Sequence, residues 1–525
     1  MTRQWSNVPL VALLLFTGFI LFFEIFSRHH NYVSLRPKKK YNFPDFNRIR
    51  HTRILPDDAV DLSTNDRIII IGDVHGMNHS LHHLLSELDY RKEKDILIFA
   101  GDLLAKSSQA GSLSFLDFLV DHHLSNDRPR QERVLGVRGN HDQLIVQWRG
   151  WREWFENITI PAPSGSRRYK ESIPTTGKEF LNMLEAEWAV ERARRESDAE
   201  EWVDVARKRA QGTWQEEWWR RIPLPGKGKH KQEWRMFSDH YWLAREMSPE
   251  HASFLLSLPL ILHIPSLHTF VVHGGILPFD PRLSPTDSRQ PLAHLPHLAN
   301  MLDNPESDFD EAETLSILRI QPDDELHPSA QLSRVGHIDE DSLRTAQESA
   351  ILREVPQNTK WWNVLNLRGV RKSGKITRDG TKGTPWSRLW NDQMGRCSGF
   401  NESLSSTHKK PTGPDYSLLC RPSTVVYGHF ASRGLDNKRW SKGLDTGCLY
   451  GRRLTALVLS QGSSATNSTI TNIAQEEQKE DGWEDEEHVT SSRQRTKWKS
   501  ARFGDDDGTV DAKLVSIKCH VVGDD

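Results

Sequence analysis

Five apolar runs in this chain each end on a glycine-flanked acid, amide or imidazole, the side chains that bind metal ions. "IIIIGDVHG" (68–76) sets Asp73 and His75 one residue apart, so in extended chain both side chains project to the same side. "AGDLLAKS" supplies Asp102, "VRGNHD" supplies Asn140 and His141, "VVHGG" supplies His273, and "VYGHF" supplies His429. A lone histidine after a strand is more often structural than a ligand. Five such strand ends in one sheet are hard to explain as packing. Imidazole and carboxylate suit a pair of divalent transition metals such as zinc, iron or manganese. Two such ions about 3.5 to 4 Å apart, bridged by Asp102, can hold a hydroxide and clamp the oxygens of an in-line phosphoryl displacement.

The elements that must position these residues are legible in outline. Strands are expected over Arg67–Ile71, Ile96–Ala100 and Val134–Val137, with helices over about His79–Leu88 and Leu113–Val120. This βαβαβ rhythm predicts an α/β fold whose sheet is largely parallel. Ligands of such sheets gather at the carboxyl ends of the strands. From about 148 to 250 the chain turns rich in Trp, Arg and Glu, which predicts a helical insertion. "PLILHIPSLHTFVVHGGILP" resumes the sheet, 283–420 reads as polar loop or short helix, and 422–460 returns to strands. Residues 461–510 have the composition of a disordered segment. Because "AKLVSIKC" after it alternates like a strand, that segment would be a loop between two paired strands.

With 525 residues, the chain is long enough to bury a large core without disulfides. Its 69 basic and 71 acidic residues give a formal charge of −2, so no global charge points to nucleic acid. Val8–Phe26 is almost wholly apolar and spans roughly 28 Å as a helix, enough for an uncleaved membrane anchor. Residues 1–27 are therefore read as a signal anchor, 28–60 as a linker, 61–460 as the catalytic domain and 511–525 as a terminal strand. Arg28, Arg36, Lys38, Lys39 and Lys40 follow the span and argue for a cytosolic body. Sequons at Asn78, Asn157, Asn401 and Asn467 matter only in a lumen. Of the four cysteines, Cys397 and Cys420 are a candidate disulfide, but buried free thiols are the simpler expectation.

The order Gly-Asp-x-His-Gly, Gly-Asp, Gly-Asn-His-Asp, His-Gly-Gly, Gly-His resembles the calcineurin-like metallophosphatases, in their Ser/Thr protein phosphatase branch. The resemblance implies a sandwich of two mixed β-sheets flanked by helices, and a phosphohydrolase. Asp73, His75 and Asp102 match the ligands of one metal, and Asp102, Asn140, His273 and His429 those of a second. His141 matches the general acid and Arg138 an arginine that grips the substrate phosphate, a task suited to guanidinium geometry. The branch reads Gly-Asp-x-x-Asp-Arg-Gly where this chain reads "GDLLAKS". Ala105 thus replaces the carboxylate that orients the catalytic histidine, and Lys106 replaces a phosphate-binding arginine. Asp142 is a candidate to steady His141 instead. A phosphate leaving group is less basic than an alkoxide and needs less acid assistance, so the loss favours phosphoanhydride substrates.

"GLDTGCLYGRRLTALVL" resembles the closing segment of symmetrical diadenosine tetraphosphatases. Together with "GDLLAKS", "GTPWSRLWN" and the single span, it is most similar to the fungal vacuolar endopolyphosphatases. That likeness implies a zinc-dependent enzyme, with manganese, iron or cobalt as other candidate ions, cutting inorganic polyphosphate through attack of a metal-bridging hydroxide. It also implies a single-pass vacuolar membrane protein with a luminal body. A protein serine/threonine phosphatase or a dinucleoside polyphosphate hydrolase is the alternative. Arg368, in the Trp-rich "WWNVLNLRG", is a further candidate for a phosphate contact. Arg220, Arg221, Lys227, Lys229 and Lys231 could line a groove for a long polyanion, although a solvated loop is the simpler reading.

Overall fold

The isoleucine run forms a strand because β-branched side chains fit a pleat covered on both faces. The computed structural model describes residues 45–56, 59, 62, 66–123, 132–159, 176–194, 236–296, 340–400, 416–462, 496–505 and 508–520. All of these fall in one compact unit, Asp45–Arg209 with Leu224–Asp525. In chain order the strands are β1 (Arg50–Ile54), β2 (Arg67–Ile71), β3 (Asp95–Phe99), β4 (Val134–Gly136), β5 (Pro259–Ile264), β6 (Thr269–Val272), β7 (Gly369–Val370), β8 (Ile376–Thr377), β9 (Thr384–Pro385), β10 (Thr424–Tyr427), β11 (Asp436–Lys438), β12 (Ser441–Gly443), β13 (Arg453–Gln461), β14 (Lys497–Ala501) and β15 (Val510–Lys518). The helices are α1 (Asn78–Glu87), α2 (Gln109–His122), α3 (Asn140–Glu156), α4 (Gly177–Arg194), α5 (Asp239–Glu246), α6 (Pro249–Ser257), α7 (Glu340–Glu354), α8 (Trp361–Asn366) and α9 (Trp386–Met394).

Two six-stranded mixed sheets carry the architecture, in the orders β1-β5-β6-β10-β12-β11 and β14-β15-β13-β2-β3-β4. One apolar cluster joins them face to face. Ile68, Ile70, Ile96, Ile98, Leu457 and Leu514 come from one sheet, and Leu262, Val271 and Val426 from the other. The alternate residues Phe270, Val272, Val425 and Tyr427 point outward beneath α7, α8 and α9. Period-two alternation therefore sorts each strand between a sandwich interior and a helix-covered face.

The topology brings the strand ends together. β2, β3 and β4 are adjacent and parallel, so the residues that follow them emerge on one edge. β6, β10 and β12 are adjacent and parallel in the other sheet and do the same. The parallel reading holds for these triplets and for β1 with β5, but β5 runs antiparallel to β6, β13 to β2 and β15 to β13.

Two expected segments come out differently. Lys497–Ala501, inside the stretch whose composition reads as disordered, is a strand paired with β15, because a neighbouring edge satisfies its backbone. Within 283–420, α7 is fifteen residues long and buries Arg344, Gln347 and Glu348, so its polar composition hid a docked helix. Among the described residues no helix is long and apolar enough to cross a membrane, and Val8–Phe26 lies outside them. Arg220, Arg221, Lys227, Lys229 and Lys231 also lie outside.

Candidate metal centre

Asp73 follows β2, Asp102 follows β3, Asn140 opens α3 just past β4, His273 follows β6 and His429 follows β10. Three of the strand-end residues have left-handed backbones, with φ of +51° at His75, +47° at Asp102 and +71° at His429. Each costs on the order of 1–3 kcal/mol and persists only where its surroundings dictate it. Here the amide of His75 donates to the Asp102 carbonyl (2.9 Å), and that of His429 to both carboxylate oxygens of Asp73 (3.1 Å each). Two glycines make room for this crossing of loops. A Cβ on Gly139 would lie 2.0 Å from the Asp102 amide nitrogen, and one on Gly428 would lie 2.1 Å from Asp73 Oδ1.

The side chains meet in two overlapping groups, Asp73 with His75 and Asp102, and Asp102 with His273 and His429. Asn140 joins the second, its Oδ1 3.1 Å from His273 Nε2. His273 Nδ1 donates to the Ala100 carbonyl at 3.0 Å; burial works against charge on the ring while Asp102 raises its pKa when no cation is bound, and in the neutral imidazole Nε2 carries the lone pair. That nitrogen looks onto Asp102 Oδ2 at 3.3 Å and His429 Nδ1 at 3.1 Å. Lone pairs thus converge with too few protons between them, and His429 Nε2 is buried without a hydrogen-bond partner. Such a cluster fits a cation better than it fits itself.

The electrostatics point the same way. Burial, then the charges of Asp445 and Asp102, pushes the Asp73 carboxyl well above its ordinary range. Asp102 is driven the other way: burial works against its charge, but His273, His141 and His75 hold it well below the usual range. Burial also lowers His75 and pushes His429 well down, favouring the neutral imidazoles that ligate metal. A third buried acid, Asp445, shares a hydrogen bond with Asp73. Sequence reasoning missed it, although it obeys the same rule, being an acid two residues beyond the end of β12 in "GLDTG".

The remaining candidate residues are placed unequally. Arg138 does not reach the centre, and the expectation that it grips phosphate is corrected. Its side chain is fully buried, donating from Nη1 to the Arg48 carbonyl (2.9 Å) and Gln143 Oε1 (2.8 Å), and from Nη2 to the Leu256 carbonyl (2.8 Å). Lys106 is exposed, and its charge bears on His75 and His141. Arg368 donates from Nη2 to the carbonyl of His429 at 3.0 Å, and its guanidinium feels Asp445, Asp102 and Asp73.

Asp142 does not steady His141. It accepts from the amides of Leu103, Leu104 and Gly139, stapling the start of α3 to the loop after β3. His141 Nδ1 instead meets His240 Nε2 at 2.8 Å, and His240 Nδ1 meets Asp239 Oδ1 at 2.8 Å. No spacing in the sequence announces that pair, because 99 residues separate His141 from His240. The cysteines are not free thiols: disulfides join Cys397 to Cys420 and Cys448 to Cys519.

Residues 66–323 match the calcineurin-like phosphoesterase family. His429, which completes the second group, lies beyond that match and is brought in by the fold. No protein of curated function matches the chain. Among solved structures it is similar to a putative diadenosine tetraphosphatase, at 17% identity and a TM-score of 0.33, over 78% of this chain and 94% of that one. It is also similar to a protein serine/threonine phosphatase from Saccharomyces cerevisiae, at 16% identity and a TM-score of 0.20, over 46% and 47% of the two chains. Both likenesses are faint and carry no argument.

Proposed function

We propose that this chain is a hydrolase of the calcineurin-like phosphoesterase type that cleaves phosphoanhydride bonds of inorganic polyphosphate, inside the polymer. Asp73, His75 and Asp102 would hold one divalent cation, and Asp102, Asn140, His273 and His429 a second. The donor set suits zinc, with manganese, iron or cobalt as substitutes. When bound, such ions supply an activated water and neutralise charge on the phosphoryl oxygens.

The protein's own cations suggest the substrate. Lys106 lies on the His75–His141 side of the centre and Arg368 against the backbone of His429. Positive charge on both flanks suits a substrate that is anionic on both sides of the scissile bond, as a polyphosphate is. This flanking pair is the observation that carries the reading. Arg368, held by backbone carbonyls and lying 5.2 Å from the Phe430 ring centre, would orient one flanking phosphate. Lys106 would meet the other as a point charge.

The four paired cysteines support a body in an oxidising lumen, with the apolar segment 8–26 as its anchor, and they outweigh the basic flank that argues for the cytosol. The vacuolar lumen remains the compartment of choice on the sequence resemblance.

Product sizing tests the substrate. Purified full-length protein, loaded with zinc or manganese, is incubated with long polyphosphate, a phosphoserine peptide or a dinucleoside tetraphosphate. Intermediate lengths appearing from polyphosphate early in the reaction are expected. Release of monophosphate alone from a slowly shortening parent would overturn internal cleavage. Faster turnover of the peptide or the dinucleotide would overturn the substrate assignment.

A further inference from the structure

We propose that His240 and Asp239 are positioning residues that hold His141 toward the leaving oxygen, an assistance that counts most for basic leaving groups. This rests on the phosphohydrolase reading above and deepens it. With Ala105 where a carboxylate was expected, His141 would lack an orienting partner. The structure assigns that task to a helix 133 residues further along, since the Lys106 amide donates to Asp239 Oδ2 at 2.6 Å beside the substituted position.

The chain of contacts has a direction. An ionised carboxylate only accepts, so His240 donates from Nδ1 to Asp239 Oδ1. Neutral His240 then has a bare Nε2, which accepts from His141 Nδ1–H. The ring centres of His141 and His240 are 5.1 Å apart with planes at 22°, so the imidazoles are joined edge to edge, nearly coplanar. His141 is left with Nε2 as the nitrogen that can hand over a proton. The Asp239 carboxylate thus orients His141 through His240, as in a Ser-His-Asp array lengthened by one imidazole.

The relay is held firmly. Asp239 Oδ1 also accepts from the His240 amide at 2.9 Å. The next residue, Tyr241, is fully buried and donates its hydroxyl to Glu185 Oε1 at 2.6 Å. Arg152 Nη1 donates to the same carboxylate oxygen (2.8 Å) and to the Tyr241 hydroxyl (2.6 Å). α3, α4 and α5 are thus locked in register, and α3 carries His141. A surface histidine pair would have no such scaffold beneath it.

In the assisted step a water oxygen bonds to phosphorus as the bond to the leaving oxygen breaks. The leaving oxygen takes the proton from His141 Nε2, and the proton shed by the water restores His141. Assistance of this kind contributes roughly 10²- to 10⁴-fold, and most for basic leaving groups.

The test is a leaving-group series on full-length protein of verified metal content, from dinitrophenyl phosphate through phenyl phosphate to an alkyl phosphate. His240→Phe keeps the ring but removes the acceptor. It should lower kcat on phenyl phosphate by about 100-fold and on dinitrophenyl phosphate by less than about 3-fold, with KM and bound metal unchanged. His240→Gln, whose amide oxygen can accept from His141, should recover most of the loss. Combined with His141→Ala, His240→Phe should cost nothing further. If His240→Phe does not fold, Asp239→Asn carries the same test, with a smaller loss graded in the same way. A loss equal for all leaving groups, no loss at all, or multiplicative losses with His141→Ala would overturn the proposal. A parent enzyme inactive on every ester and anhydride would overturn the phosphohydrolase reading instead.

Discussion

Asp102 is the one side chain common to both ligand groups, and its Oδ1 also accepts from the amide of His141 at 2.9 Å. Asp102→Asn keeps the shape and removes the charge that draws cations to both groups. Metal content should fall from two ions to one or none and kcat by at least about 10³-fold, judged by elemental analysis beside the assay. Full metal occupancy with full activity would sink the dinuclear reading. Arg138 calls for the opposite test. It sits one residue from Gly139 in the motif, yet its guanidinium is spent on two carbonyls and an amide oxygen, and burial lowers its pKa to about 10. Arg138→Ala orphans buried acceptors, so the expected loss is stability, on the order of 3 kcal/mol in urea unfolding, and not a raised KM. A stable variant with weakened phosphate binding would restore the phosphate-gripping role. Sequence could name the residue type here but not its direction, which depends on packing against the Arg48 and Leu256 backbones.

α7 shows how an element's place is fixed by one buried acid. Glu348 lies 2.7 Å from His263 Nε2 on β5 and 3.3 Å from His268 Nδ1 in the β5–β6 turn, and it accepts from Ser423 Oγ at 2.7 Å just ahead of β10. Burial works against its charge, but His268 and His263 hold its pKa far below the ordinary carboxylate value. A depressed carboxylate pKa adds stability that is fully present above the unfolded value near 4.3 and is lost as pH falls toward the folded value. Glu348→Gln should therefore cost about 3 kcal/mol at pH 7, with the gap to the parent narrowing below about pH 4. Denaturant unfolding across that range measures it, and a gap that stays constant would contradict the assignment. The polar segment containing α7 looked like loop because its buried groups are Arg, Gln and Glu satisfied by distant partners. β2, β3 and β4 were legible because runs of β-branched residues and strand-end glycines are local signals. The same locality explains why the metal-ligand types could be read ahead of the fold, whereas His240 and Asp239 could not. Each of those matters through a contact made by another part of the chain.

At the scale of the whole molecule the two disulfides and the sequons put the proposed luminal placement to the test. Cys519 lies just past β15, the strand that pairs with β13, and Cys448 lies in the loop that starts at Asp445. Their disulfide closes 71 residues of sequence, and the Cys519 amide also donates to the Arg452 carbonyl at 3.0 Å. Closing a loop of that length is worth on the order of 4 kcal/mol, so the pair ties the terminal strand to the loop that sets Asp445 beside Asp73. Reducing conditions should then lower Tm by several degrees and loosen both at once. Of the described sequons, both amides are hydrogen-bonded, Asn78 Nδ2 to Ser114 Oγ and Asn157 Nδ2 to the Glu153 carbonyl, but Asn78 is part-buried and Asn157 is exposed just past the end of α3. Full-length protein made in a secretory pathway should carry a glycan on Asn157. Asn157→Gln should remove one glycosidase-sensitive step in gel mobility. If the parent shows no such step at any sequon, and its cysteines react with thiol reagents before any reduction, the luminal orientation is wrong and the basic residues after the apolar span set the topology.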